Sequence, residues 1–292
     1  MIYTQKEQIK EKIDELVNDV VEGLKKELSH CLESITLTGS YTIGKISLER
    51  PNVNILIFVK PNVSSTDYLK IGEIFYKASE KYQNYFGIKI DCFPFRFGFP
   101  VGKKELQFLF TPHILFINEK NAKPPFGIAS NVLEGMKKTR KVVFGSDPLG
   151  KVDLTYTKKD VIQWALFDIG VLYRNQLIDA SLTYDIRKNL DLLVGESIEI
   201  GKNALTWGTE IFLDEEDWKN GKHIELIMDK EKMIDFYQNI DKELGEAAKI
   251  ILEARLKFQE YKSNKEKASK LYDAAYTAVT KVLLKTLSET KK

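Results

Sequence analysis

Apolar positions along the chain change period once. Up to about residue 150 they switch between helical and strand spacing, and beyond it they keep helical spacing alone. Ile9, Ile13, Leu16, Val17, Val20, Val21, Leu24 and Leu28 recur every three or four residues. They stand behind Thr4 and Glu7 at capping-box spacing, so a long amphipathic first helix is predicted. Short apolar runs over 34–38 and 53–59 predict two strands, and 66–83 predicts a helix that ends near Gly87. Further strands are expected at 87–97 and 106–117, the latter as interior sheet because of Leu106, Phe108, Phe110 and Ile114 to Ile117. The stretch 120–130, with Pro124, Pro125 and Gly127, has no regular period and reads as a loop able to lie over a cleft.

In the second half, Thr157 caps a helix that carries Val161, Trp164, Ala165, Ile169 and Leu172. A second helix runs through Ile186, Leu190, Leu193, Val194 and Ile198, a third from about Asp229 to Tyr261, and a fourth from about Asn264 to Leu287. Helices of this length in series predict an antiparallel bundle. The expected fold class is therefore α+β: a mixed sheet with helices over 1–150, then an all-α bundle over 151–292.

Composition narrows the partners. Lys and Arg number 44 against 42 Asp and Glu, a net charge of +2 that supplies no global field to recruit nucleic acid. Cys31 and Cys92 are the two cysteines, no signal-peptide pattern opens the chain, and the apolar run Ile55 to Val59 is too short to span a bilayer. A reducing cytoplasm, with no membrane partner, is the expected setting.

Candidate chemistry lies between residues 34 and 59, SITLTGSYTIGKISLERPNVNILIFV. A strand ends in Gly39-Ser40, a polar connector follows, and the next strand opens with Asn52-Val53-Asn54. This resembles the signature of the nucleotidyltransferase superfamily, the polymerase-beta-like fold, in which a Gly-Ser turn precedes a strand bearing Asp-x-Asp. The resemblance implies nucleotidyl transfer from ATP or another nucleoside triphosphate, with Mg2+ held by the two aspartates and a third carboxylate. Residues at i and i+2 of a strand share a face, which is why a carboxylate-x-carboxylate pair can hold metal ions. Gly39 and Ser40 match the turn, Gly44 matches a common second glycine, and Asn52 and Asn54 fall at the metal-ligand positions. Asp91 is the candidate third acid, and Arg96, a few residues on, is a candidate phosphate contact. The stretch 142–147 is similar to one that closes the catalytic domain in relatives with a helical tail, whose helical domain often forms one wall of the acceptor site.

Both expected aspartates are thus asparagines. An amide offers a carbonyl oxygen without charge, so the pair argues against tight binding of two Mg2+ ions. Glu49 is close enough in sequence to replace a ligand, but its odd offset from Asn52 argues against a shared strand face. Gly39 to Lys45 and Gly145 to Lys151 both spell GxxxxGK, yet a P-loop needs Ser or Thr next, and Ile46 and Val152 stand there. Lys45 remains a candidate nucleotide contact.

The other conspicuous residues read as structural. His113 is expected in the interior, His30 at the C-terminal end of the first helix where a cation suits the dipole, Lys137 to Lys141 as a solvated helix end, and Asp214 to Asp217 as a hydrated acidic loop. Two functions remain open. One is a degenerate transferase, weakly active or inactive, that binds nucleotide, a protein partner or a second copy through the old cleft. The alternative is an active enzyme moving a nucleoside monophosphate to a hydroxyl of a small molecule, RNA or protein.

Overall fold

Alternation along two central strands builds the first half. In a computed structural model the described residues are 2–90, 107–116, 130–152, 154–187 and 190–290. Asp91, Cys92, Arg96 and most of the 120–130 stretch fall outside them. The chain forms two compact units, Met1–Thr155 and Tyr156–Lys292.

In the first unit the strands are β1 (Leu32–Thr38), β2 (Asn52–Val59), β3 (Gly87–Ile90), β4 (Gln107–Phe116) and β5 (Lys141–Gly145). They make a five-stranded sheet in the order β3-β4-β2-β1-β5. Strands β3, β4 and β2 run parallel, and β1 is antiparallel to both β2 and β5. A bulge between Leu32 and Ser34 shifts the β1–β2 register by a residue, which puts Leu32 on the same face as Ile35 and Leu37. These three, with Val53, Ile55, Ile57 and Val59, bury against α1 (Ile2–Glu27) and α2 (Ser65–Tyr82). On the opposite face Leu56, Phe58 and Leu115 pack with Leu133 of α3 (Ser130–Thr139) and with Leu149 and Val152.

α1 begins at Ile2, two residues before Thr4, so the Thr4–Glu7 spacing is not its start. α2 has the capping box the sequence did not single out: Ser64 accepts from the Asp67 N–H, and the Asp67 carboxylate accepts from the Ser64 N–H at 2.9 Å. The predicted 87–97 strand is described only over Gly87–Ile90.

The second unit is helical throughout its described residues. Thr157 caps α4 (Lys158–Phe167) in a capping box with Asp160, as its spacing predicted. A π-helical turn, Asp168–Tyr173, joins it to α5 (Arg174–Arg187), and burial pushes the Asp168 carboxyl up to about 6 although the Trp207 indole N–H donates to it at 3.1 Å. α6 (Leu190–Phe212) and α12 (Lys265–Glu289) form the core pair, with Ile198, Leu205, Leu271 and Val282 buried. Between them lie α7 (Glu215–Lys219), α8 (Lys222–Met228), α9 (Lys230–Ile240), α10 (Lys242–Leu256) and α11 (Phe258–Lys262). Two expectations are corrected here. The helix predicted from Asp229 to Tyr261 is three helices: Asp241 turns its carboxylate onto the Leu244 N–H and restarts the chain as an N-cap, and the backbone breaks again at Lys257, φ -117 and ψ 41, with no side-chain cap. The acidic run at Asp214 is no hydrated loop: Asp214 caps α7, and the acids after it occupy the first turn, where the helix dipole favours them.

Candidate active site

The Gly-Ser turn leaves β1 at its C-terminal end. Thr38 is the last paired residue, and its partner across the antiparallel ladder is Asn54. Gly39 follows with φ +85, a left-handed conformation that glycine adopts without strain. Space is as restrictive as conformation here: a β-carbon on Gly39 would stand 2.8 Å from Asn54 Nδ2. Gly39, Ser40 and Asn54 are therefore brought together, and Asn52, two residues earlier on β2, shares the face of Asn54. Both asparagines are half-buried.

Three side chains hold the turn. The Gly39 N–H donates to Thr139 Oγ1 at 2.9 Å, and the Thr42 hydroxyl donates to the Thr139 carbonyl at 2.5 Å, which ties the turn to the end of α3. On the other layer the Tyr41 hydroxyl donates to Asp14 of α1 at 2.7 Å, and burial together with that carboxylate pushes the phenol pKa up. The Lys45 N–H closes the loop on the Ser40 carbonyl at 2.8 Å, leaving the Lys45 side chain exposed. Among the described residues the N–H groups of Ser40, Tyr41, Thr42 and Ile43 have no hydrogen-bond acceptor. Successive amides without acceptors are the groups from which an anion-binding concavity is built.

Along β4 the backbone register sets Thr111 beside Asn54 and His113 beside Leu56. On β3, Ile90 pairs with Phe110, and Asp91, the next residue, lies outside the described residues together with Arg96. His113 is interior, as expected: it is buried on the α3 face, and burial alone pulls its imidazole down to about 4, so it stays neutral.

Sequence reasoning missed the polar lining of this face. Thr36 and Thr38 are fully buried, and neither hydroxyl has a hydrogen-bond partner among the described residues, while Ser34 donates to the Ser146 carbonyl at 2.6 Å. The signal was present: Ser34, Thr36 and Thr38 alternate with Ile35 and Leu37. Thr139 was missed too, because Lys137 to Lys141 read as a solvated end. Instead Thr139 is buried, Lys137 donates to the Val152 carbonyl at 2.8 Å, and Arg140 pairs with Asp147 at 2.8 Å. Asp147 also accepts from the Gly150 N–H at 2.8 Å, so the second GxxxxGK stretch is a capped turn with its own carboxylate inside the loop, which leaves no cradle for a phosphate.

Glu49 lies ahead of β2, where strand alternation no longer governs direction. Its Oε2 is buried and has no hydrogen-bond partner among the described residues. The donor set of Asn52 and Asn54 remains two neutral amides, which does not fit a pair of Mg2+ ions.

No protein-family model matches the chain, and no curated protein matches it. Among solved structures it is similar to the spectinomycin adenyltransferase AAD(9) from Enterococcus faecialis, crystallised with ATP and spectinomycin. The two are 14% identical, the match covers 91% of this chain and 98% of that one, and the TM-score is 0.52. At that identity the likeness shows the fold: a nucleotidyltransferase-like α+β unit followed by a helical region. No helix among the described residues is long and apolar enough to cross a membrane.

Proposed function

We propose that this protein binds ATP or another nucleoside triphosphate at the Gly39–Lys45 turn and that it performs nucleotidyl transfer weakly or not at all. The observation that carries the proposal is the pairing of Thr38 with Asn54, which sets the phosphate-binding turn directly against the position where the fold family keeps a metal ligand, here an amide. The likeness to an adenyltransferase solved with ATP supports the choice of nucleotide.

In this reading the Ser40 hydroxyl and the N–H groups of residues 40–43 donate to phosphate oxygens, and Lys45 adds charge from the exposed end of the loop. Thr139 and Tyr41 hold the turn in shape before the ligand arrives, which lowers the entropy lost on binding. Asn52 and Asn54 donate or accept single hydrogen bonds there but supply no negative charge. Asp91 is the remaining acid of the proposed set and Arg96 a further phosphate contact. A bound nucleotide that is not turned over suits a sensor, read by a protein partner or a second copy.

One observation favours the active alternative. The buried Glu49 Oε2, without a hydrogen-bond partner among the described residues, is a carboxyl oxygen close in sequence to Asn52 and Asn54, and a carboxylate there would restore part of the lost charge.

The double reversion Asn52→Asp with Asn54→Asp separates the two. For a degenerate site the parent shows no transfer from labelled ATP, and the reverted protein gains Mg2+-dependent transfer or tighter Mg2+-dependent binding. Transfer by the parent that disappears in Glu49→Gln would establish the active reading. Neither binding nor transfer in either protein would remove the nucleotide from the account.

A further inference from the structure

At the opposite end of β1 from Gly39, three ligating side chains meet that no part of the nucleotide site uses. His30 and Cys31 sit in the turn that follows α1, and Asp67 lies in the first turn of α2. One ligand atom from each, an imidazole nitrogen, a thiol sulfur and a carboxylate oxygen, lies within 4.8 Å of the others. We propose that His30, Cys31 and Asp67 bind a zinc-class divalent cation, with water as its fourth ligand.

Distances suit that ion. Two ligands at about 2.0–2.1 Å on a tetrahedral zinc stand roughly 3.3 Å apart, and a thiolate at about 2.3 Å stands roughly 3.6 Å from either. His30 Nε2 and Asp67 Oδ2 are hydrogen-bonded at 3.2 Å, a contact the ion would replace at nearly the same spacing, and the sulfur closes in from within 4.8 Å. Borderline zinc takes sulfur, nitrogen and oxygen together, whereas Mg2+ and Ca2+ take oxygen alone.

The ligands are also held. The Ser64 N–H and hydroxyl both donate to Asp67 Oδ2, at 2.9 and 2.7 Å, so the capping box fixes the position of the carboxylate. Cys31 is fixed by its own N–H to the Leu28 carbonyl at 3.0 Å and by the Lys60 N–H on its carbonyl at 2.8 Å. The His30 side chain, 51% exposed, gives the ion an entry path to the otherwise buried Cys31 and Asp67. Lys70 stands 3.9 Å from Asp67 Oδ1, beyond hydrogen-bond reach, with its side chain exposed.

On binding, the Cys31 thiol loses its proton to solvent as the metal–sulfur bond forms, and the imidazole offers Nε2 while carrying its proton on Nδ1. Strand β1 separates this site from the Gly-Ser turn by six residue steps, roughly 20 Å at about 3.3 Å each, so the ion does not reach the transferred phosphate. It clamps the α1–β1 turn to the start of α2.

Co2+ titration of the chelator-stripped full chain tests this, in a Cys92→Ser background so that Cys31 is the only thiol. The expected result is one equivalent bound, with a thiolate-to-metal charge-transfer absorption that Zn2+ abolishes by displacement. Cys31→Ser should remove the absorption, and His30→Ala, at an exposed position that leaves the fold intact, should weaken binding tenfold or more. No charge-transfer absorption in the Cys92→Ser protein, or unchanged affinity in His30→Ala, would overturn the proposal.

Discussion

On the α1–α2 side of the sheet, Ile35, Leu37, Val53, Ile55 and Ile57 are buried among apolar neighbours. On the α3 side the intervening residues of the same strands are Ser34, Thr36, Thr38, Asn52 and Asn54, and from these two strands Leu56 and Phe58 alone join the smaller apolar core there, with Leu115, Leu133, Leu149 and Val152. Period-two alternation therefore places an apolar set of residues on one face and a largely polar set on the other. The first face admits polar atoms only where they are paired, as the Tyr82 hydroxyl is with Asp19 at 2.9 Å. The second keeps the buried hydroxyls of Thr36 and Thr38 without partners among the described residues.

The contrast can be broken first on the apolar face. Ile57→Ala, at a fully buried position, should cost about 2–5 kcal/mol in urea unfolding and leave the nucleotide affinity of the folded fraction unchanged. Altered affinity at matched folded fraction would mean the two faces are not separable. On the polar face His113 gives a pH signature. Its folded pKa, about 4, lies below the ordinary 6.5, so the unfolded chain takes up a proton first as pH falls. The stability present above pH 6.5 should decline toward pH 4 by about 3 kcal/mol, and His113→Gln should flatten that slope. An unchanged slope in the variant would assign the decline to other groups.

Gly39→Ala is expected to cost about 1–2 kcal/mol from left-handed strain, with added pressure on Asn54, and to abolish nucleotide binding through the displaced turn. The finest comparison uses two threonines of one strand. Thr36→Val and Thr38→Val each remove a buried hydroxyl that has no partner among the described residues, and each should raise stability by about 1 kcal/mol. Thr38, paired with Asn54, should also lose nucleotide affinity; Thr36, paired with Leu56, should not. Equal affinities in the two variants would detach Thr38 from the site.

Much of this architecture was legible in residue order because it rests on local rules. Alternation marked β1 and β2, Thr157 and Asn264 marked helix starts, and Gly39 marked a turn that needs positive φ. What escaped depends on contacts across long separations. Thr139 binds Gly39 across a hundred residues of chain, and no local pattern distinguishes it from a solvated threonine between lysines. His30, Cys31 and Asp67 look ordinary until α1 and α2 pack on the sheet side by side. Conversely, Asp241 breaks the helical pattern between residues 229 and 261 by a capping bond that the apolar period conceals.

The central claim is a phosphate-binding turn that has outlived its metal ligands. Calorimetric titration of the full chain with ATP, with and without Mg2+, tests it most directly, using Ser40→Ala as the comparison. The account predicts binding that persists without Mg2+ and weakens in Ser40→Ala. Binding that appears only with Mg2+ and is indifferent to Ser40, or no binding under either condition, would contradict it.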